Sequence, residues 1–314
     1  MNSYRDYRVR LRLRSPLGTP MQADILFGHL AWEVARREGP EGVSAFLEPF
    51  LAGEPPFVLS DAFPEGLLPR PMLPTGRIPG DAESREAYAR IKQVAKAPFL
   101  SVPDFLEVVT DPSRAPEPVP SPWRTVKTPR ASIDRGTWTT TPGGRFFETE
   151  SLALAAGEAA TGDGSRGLDV YLRAREGWEE RALTLLRWVA KTGFGRDRSV
   201  GLGEFVVEGL EPLGDLFTGV AGADGFVSLS SWVPAAGDPV EGRWRARVKR
   251  GFLGEAAGGG NPFKRPLVQL EPGSAMRTGS PPRPCYGRMV RHIAPGMPEA
   301  AQYGFALAVP CRWR

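Results

Sequence analysis

From Tyr7 to Arg14 the chain alternates without a break, with Val9, Leu11 and Leu13 on one side and Arg8, Arg10, Arg12 and Arg14 on the other. Successive side chains of a strand point to opposite faces, so this pattern predicts a half-buried strand with one basic face. Ser15 to Pro20 makes a turn, with Thr19 as candidate N-cap, Pro20 at the first helical position and Gln22 completing a capping-box spacing. A helix is predicted from there to about Arg37. Its apolar residues Phe27, Leu30, Ala31, Val34 and Ala35 recur at helical spacing, and Asp24, Gly28, His29, Glu33, Arg36 and Arg37 lie towards the other side. A strand that runs directly into a helix points to an α+β or α/β chain.

The rest of the chain is punctuated by turn residues. Its 314 residues include 37 Gly and 32 Pro, which favours strands, turns and long connections over a helical bundle. Prolines break residues 54–77, a short helix is predicted at Asp81–Lys96, and Pro98–Pro129 reads as a long connection with one short strand near Leu106–Val109. Lys127–Leu154 holds two polar or aromatic arms around Pro-Gly-Gly, the pattern of a projecting β-hairpin. A loop at Gly157–Gly167 precedes a strand at Leu168–Arg173. The best amphipathic helix spans Trp178–Thr192 and stops at Gly193, a natural C-terminal cap. Strands follow at about Gly225–Trp232, Gly242–Gly251, Pro266–Glu271, Gly287–His292 and Gly304–Val309, with a flexible segment at Gly254–Pro262. In the second of these strands Trp244, Ala246 and Val248 alternate with Arg243, Arg245, Arg247 and Lys249. Turn residues cluster near Leu210–Ala223, which divides the chain into units 1–210 and 211–314.

Composition narrows the chemistry. No stretch approaches the roughly 18 to 20 apolar residues of a membrane span, and the first residues lack the apolar core of a secretory signal, so a soluble cytoplasmic protein is expected. Two cysteines and two histidines, Cys285, Cys311, His29 and His292, form no disulfide framework and no zinc-like spacing. The net charge is +4, so a polyanion site has to come from local patches. Of the 40 basic residues 34 are arginine, the base suited to bidentate phosphate contacts, although a GC-rich genome yields the same bias.

The most informative stretch is Gly193–Phe205, GFGRDRSVGLGEF, between the best helix and a strand at Glu204–Glu208. Glycines at 193, 195, 201 and 203 allow close backbone approach, and Arg196, Arg198 and Ser199 can donate to phosphates. The dinucleotide fingerprint follows a strand and opens a helix, the reverse of this order, and the Gly-Lys-Ser/Thr ending of a phosphate-binding loop is absent. A glycine-rich connection needed only for a tight turn is the plainer alternative.

This loop resembles the signature glycine-rich loop of the RAMP superfamily, the ferredoxin-like RNA-binding proteins of CRISPR systems. SPLGTPMQADILFGHLAW at Ser15–Trp32 resembles the first strand–helix junction of the type III-A subunit that caps the 5′ end of the guide RNA. PRASIDRGTWTT at Pro129–Thr140, followed by RFFETE, resembles its thumb hairpin, and LEPGSAM at Leu270–Met276, CYGRMV and QYGFAL resemble its C-terminal half. The resemblance implies an α+β chain of two ferredoxin-like (RRM-like) domains and a non-catalytic role without cofactor. Such a subunit holds the repeat-derived 5′ handle of the CRISPR RNA (crRNA) and docks a large polymerase/cyclase-like subunit and a backbone RAMP subunit, meeting target RNA only indirectly and no membrane. Carried over, Gly193, Gly195, Arg196, Arg198, Ser199, Gly201 and Gly203 would contact the handle. Arg130, Ile133 and Arg135 would belong to the thumb, with Ile133 as a wedge between bases.

Three further features carry expectations. Arg8, Arg10, Arg12 and Arg14 line either an RNA or subunit contact or a solvated face, with the contact favoured. The Arg243–Lys249 face has a weaker claim, and Phe263, Lys264 and Arg265 suit an assembly contact. Some RAMP relatives cleave RNA, so the alternative function is an endoribonuclease in which His29 acts as general base or Asp24 helps hold a metal.

Overall fold

The computed structural model describes residues 4–74, 97–114, 119–140, 146–155, 166–253, 261–297 and 299–313. The predicted helix at 81–96, the Pro-Gly-Gly turn at 142–144, most of the loop at 157–167 and the glycine-rich stretch 254–260 lie outside the described residues.

The first strand, β1 (Arg5–Leu13), follows the alternation: Val9, Leu11 and Leu13 are buried and the arginines take the opposite face. The following helix, α1 (Ala23–Leu51), starts later and ends later than the sequence suggests. Its first N–H, on Ala23, donates to the Asp61 carboxylate (2.9 Å), so a residue distant in sequence takes the capping role assigned to Thr19. The chain does break after Arg37: Gly39 has φ +72° and Pro40 opens a second helical stretch, but both stretches pack as one bent element. In the second stretch, Phe46 and Phe50 join Phe27, Phe57, Tyr303 and Phe305 in an aromatic core, with Phe27 4.7 Å from Phe50 and 4.6 Å from Tyr303.

The next strand, β2 (Phe57–Pro64), falls where prolines predicted only irregular chain. It is buried on both faces, with Ser60 and Asp61 interrupting its apolar residues, so it lacks the period-two signal. Short strands β3 (Leu67–Pro69) and β4 (Phe99–Ser101) pair, and α2 (Val102–Thr110) replaces the predicted strand at Leu106–Val109. The Ser101 hydroxyl accepts the Asp104 N–H (3.2 Å), a cap present in the sequence as Ser-Val-Pro-Asp.

The predicted hairpin is formed by β5 (Trp123–Ala131) and β6 (Phe146–Leu154), antiparallel from Trp123↔Leu154 to Ala131↔Phe146. Then come β7 (Arg166–Ala174), α3 (Trp178–Thr192) and β8 (Phe205–Pro212). The first sheet has the antiparallel order β2-β7-β1-β8, with α1 and α3 supplied between its strands.

From residue 213 onward the described residues contain strands and no α-helix. Strands β9 (Gly225–Ser228), β10 (Gly242–Arg243), β13 (Ala275–Arg277), β14 (Cys285–Gly287) and β15 (Phe305–Cys311) form a sheet of order β10-β13-β9-β15-β14. A separate ribbon pairs β11 (Ala246–Lys249) with β12 (Leu267–Leu270). The architecture is α+β. A second unit with its own two helices is not seen among the described residues, and α2 instead reaches the second sheet, where Arg312 N–H donates to the Val109 carbonyl (2.9 Å).

The ribbon inverts the expected alternation. Arg247 and Lys249 point inward, and Trp244, Val248 and Val268 are half-exposed. Lys249 pairs with Asp24, and Arg247 donates to Ser231, whose hydroxyl donates to Asp61 (2.6 Å). Two buried carboxylates thus turn the basic side of the ribbon towards the core.

The two sheets are joined by a buried ion pair. Arg173 on β7 binds Asp6 on β1 in bidentate fashion (2.6 and 2.8 Å) and donates to the carbonyls of Pro284 and Ala308, both at 2.6 Å. Replacing Asp6 by Ala leaves a buried guanidinium unpaired and is expected to lower unfolding stability by about 3–5 kcal/mol, measurable by urea titration.

Candidate nucleic-acid interface

The turn between β1 and α1, Ser15–Thr19, is where the glycine-rich loop and the hairpin meet. The Ser15 hydroxyl accepts Glu204 N–H (2.9 Å) and the Pro16 carbonyl accepts Gly203 N–H (2.8 Å). Leu17 exchanges two backbone hydrogen bonds with Leu152 at the hairpin base, each 2.8 Å. Thr19 accepts Arg196 N–H with its hydroxyl (3.1 Å). Gly18 lies directly under the Arg196 carbonyl, where a Cβ would collide with it. Arg196 itself reaches across to the Glu150 carbonyl on β6 (2.6 Å), closing the junction.

Within the loop the glycines divide into two kinds. Gly193, Gly195 and Gly203 all have positive φ and pack closely, Gly203 under the Phe194 carbonyl, Gly195 against Thr19 and Gly193 against Arg198. Gly201 has φ +94° with open space around its Cβ position. Phe194 is fully buried, and its N–H donates to Gly203 O (3.0 Å), so the loop's two ends are fastened together. What it presents outward is Arg196, Ser199, Val200 and Gly201, with Arg198 half-buried. Val200, 57% exposed at the loop's tip, is a residue the sequence reading passed over because valine carries no charge signal.

The hairpin projects with most of β5 exposed. Arg130 lies half-buried along it and donates to the Thr149 hydroxyl (3.1 Å), while Ile133 and Arg135 are exposed near its far end. Asp134 organises that end: its carboxylate accepts Gly136 N–H (2.7 Å) and Thr137 N–H (3.3 Å), and its carbonyl accepts Trp138 N–H (2.8 Å). Trp138 is held there 84% exposed at φ +56°. Trp138, Phe146 and Phe147 are the apolar residues that sequence reasoning missed beside Ile133. The clue was the aromatic composition of the arms, read only as strand propensity.

Two expectations change at this site. The arginine face of β1 is largely neutralised: Arg8 and Arg10 meet Glu211 (2.6 and 3.4 Å), and Arg12 pairs with Glu208. β8 supplies these carboxylates, and only the fold places it beside β1. The nuclease candidates are also occupied. Asp24 is 2% exposed and accepts from Lys249, from Gln269 (2.9 Å) and from Gln302 (2.7 Å), so it has no open side for a metal or a scissile phosphate. His29 accepts the Gly195 N–H on Nε2 (3.1 Å) and packs against Phe194, and this removes the lone pair a general base would use. His29 thereby supports the glycine-rich loop, and Asp24 holds the ribbon. Among the described residues no group of three or more His, Cys, Asp or Glu side chains could hold a metal.

Burial, and then the nearby Arg198 and Arg36 charges, bring the His29 imidazole from the ordinary 6.5 down to about 4. The unfolded chain therefore binds a proton that the folded loop refuses between those values. Stability from this group is fully present above pH 6.5 and is lost as pH falls towards 4. His29→Gln keeps an acceptor for Gly195 N–H without titrating. Urea titrations across that window should show wild type losing stability relative to the variant, with no divergence above it. Among the glycines, Gly201→Ala is expected to cost only the left-handed backbone penalty of about 1–2 kcal/mol, and Gly203→Ala clearly more, because its Cβ meets the Phe194 carbonyl.

No protein-family model and no curated protein matches the chain. Solved structures do. A chain of the Csm1–Csm4 cassette in complex with cA4 superposes with a TM-score of 0.64 at 18% identity, over 98% of this chain and 99% of that one. The same cassette with AMPPNP gives 0.62 at 20% identity, over 99% of each. The Csm3–Csm4 subcomplex of the type III-A CRISPR-Cas interference complex gives 0.58 at 12% identity, over 98% and 99%. Csm4 is the component common to these assemblies, and end-to-end coverage leaves no large part of either chain unmatched. The chain has the fold of Csm4, the component shared by the Csm1–Csm4 cassette and the Csm3–Csm4 subcomplex.

Proposed function

We propose that this protein binds and positions the 5′ handle of a crRNA within a type III-A interference complex, as a non-catalytic subunit. The observation that carries the reading is the convergence on Ser15–Thr19 of an exposed Gly-Arg-Ser loop and a projecting hairpin tipped with Ile133 and Trp138. Single-stranded RNA held in a bent path needs cationic donors, close backbone approach and apolar or aromatic surfaces for its bases. In this reading Arg196, Arg198, Ser199 and Gly201 face the handle, and Gly193, Gly195 and Gly203 give the loop its shape. Arg130 and Arg135 flank the backbone, and Ile133 and Trp138 take the place of a wedge.

The order β2-β7-β1-β8 with its two intervening helices supports a ferredoxin-like N-terminal unit, and we divide the chain near residue 210 into this unit and a C-terminal one. The similar chains come from assemblies with Csm1 and with Csm3, which supports docking of a large subunit and a backbone subunit here. No helix among the described residues is long and apolar enough to cross a membrane, in keeping with work in the cytoplasm.

The test is co-expression with the host's large and backbone subunits and its CRISPR array, followed by sequencing of the RNA retained. Short RNAs sharing a repeat-derived 5′ end are expected. A complex that assembles without RNA, or with RNA lacking that common end, overturns the reading. The double variant Arg196→Ala/Trp138→Ala should weaken binding of that RNA about 10-fold or more, since each base stacked on an aromatic ring contributes about 1–3 kcal/mol.

A further inference from the structure

The β11–β12 ribbon carries an outward stripe that the loop-and-hairpin site does not use. Its ladder continues past the named strands through Lys264 N–H to Gly251 O (2.9 Å) and Leu253 N–H to Pro262 O (2.8 Å). At that end Phe252 and Phe263 lie side by side with ring centroids 5.1 Å apart, 64% and 58% exposed. Arg250 and Arg265, both exposed, flank them, and among the described residues neither has a carboxylate partner. Further along the ribbon Trp244 stands half-exposed. The contrast with β1 is direct, because there the arginines meet Glu208 and Glu211.

The ribbon is not a loose arm. Lys249 binds Asp24 and the Gln22 side chain (3.2 Å), Arg247 binds Ser231, and Lys264 binds Gln302 (2.8 Å). Its inward cations are therefore used for anchoring, and the outward aromatics and arginines are left on a fixed platform. That anchor lies on Gln22 and Asp24, a few residues beyond the Ser15–Thr19 turn that carries the glycine-rich loop and the hairpin. One continuous segment, 15–24, thus supports all three.

We propose that this ribbon is a second single-stranded RNA contact, in which Phe252 and Phe263 stack on bases and Arg250 and Arg265 bind phosphates. Two exposed arginines without a carboxylate partner among the described residues, beside half-exposed rings, match a polyanion with π faces better than an apolar protein surface. The inference rests on the RNA-binding reading above and extends it to a separate surface.

The experiment measures binding of a fluorescein-labelled crRNA transcribed from the host repeat and spacer, by anisotropy over a salt series, with the full chain. Phe252→Ala/Phe263→Ala is expected to weaken binding about 10-fold. Arg250→Gln/Arg265→Gln is expected to lower the slope of log affinity against log salt by about 1.4, for two lost phosphate contacts on a single strand. Circular dichroism melting, unchanged for both, verifies the fold. If both ribbon variants bind as wild type while Arg196→Ala/Trp138→Ala binds weakly, the ribbon inference fails and the handle reading stands. If wild type itself does not bind, the handle reading fails with it. If the ribbon variants keep RNA affinity but no longer co-purify with the co-expressed large subunit, the stripe is a protein contact and the inference is overturned.

Discussion

Two buried carboxylates at the start of α1 organise the junction between the chain's halves. Asp61 on β2 caps the helix through Ala23 N–H and receives the Ser231 backbone and hydroxyl from the second half. Asp24, one residue into the helix, receives Lys249, Gln269 and Gln302. Burial pushes the Asp61 carboxyl up, and the hydrogen bonds from Ala23 and Ser231 and the nearby Arg247 pull it back. A carboxylate removed from water has to be met by donors or cations, so the ribbon turns Arg247 and Lys249 inward and leaves Val248 and Val268 outward. The helix start and the ribbon's orientation follow from these two side chains, and Arg173 ties the first sheet to the second through the Pro284 and Ala308 carbonyls.

The candidate RNA site is built by backbone hydrogen bonding more than by side-chain packing. Ser15–Thr19 has too few residues to form an element of its own, and its polar groups are satisfied by the loop on one side and the hairpin on the other. Each partner is thereby placed relative to the other, and Arg196 adds a direct bond between them to the Glu150 carbonyl. His29 adds an acceptor for a loop N–H from beneath, and its neutral form is the one that fits. The surface proposed for RNA is then what these anchors leave exposed: Arg196, Ser199, Gly201 and the rings of the hairpin.

The legible parts were those with a local signal. The alternation of β1, the amphipathic run of α3 ending at Gly193, the two arms of the hairpin and the four-glycine loop were all readable, because strand period, helix period and glycine freedom act over a few residues. β2 was hidden because a strand buried on both faces has no alternation, and α2 because nine residues give too short a periodic run to outweigh the surrounding prolines. Thr19 and Gln22 formed a credible capping box, yet Thr19 turned to the glycine-rich loop once the fold brought Arg196 within reach.

The sequence by itself determined an α+β chain with a projecting hairpin and a glycine-rich loop after its best helix, since these rest on short-range periodicity and backbone freedom. Tertiary structure alone decided which charges remain available. Arg8, Arg10 and Arg12 looked like the basic surface and are paired by β8, and Asp24 looked accessible on a helix face and is enclosed by the ribbon. The availability of a charge depends on partners more than 180 residues away in the chain, such as Glu211 for Arg8 and Lys249 for Asp24. Local pattern carries no record of such partners.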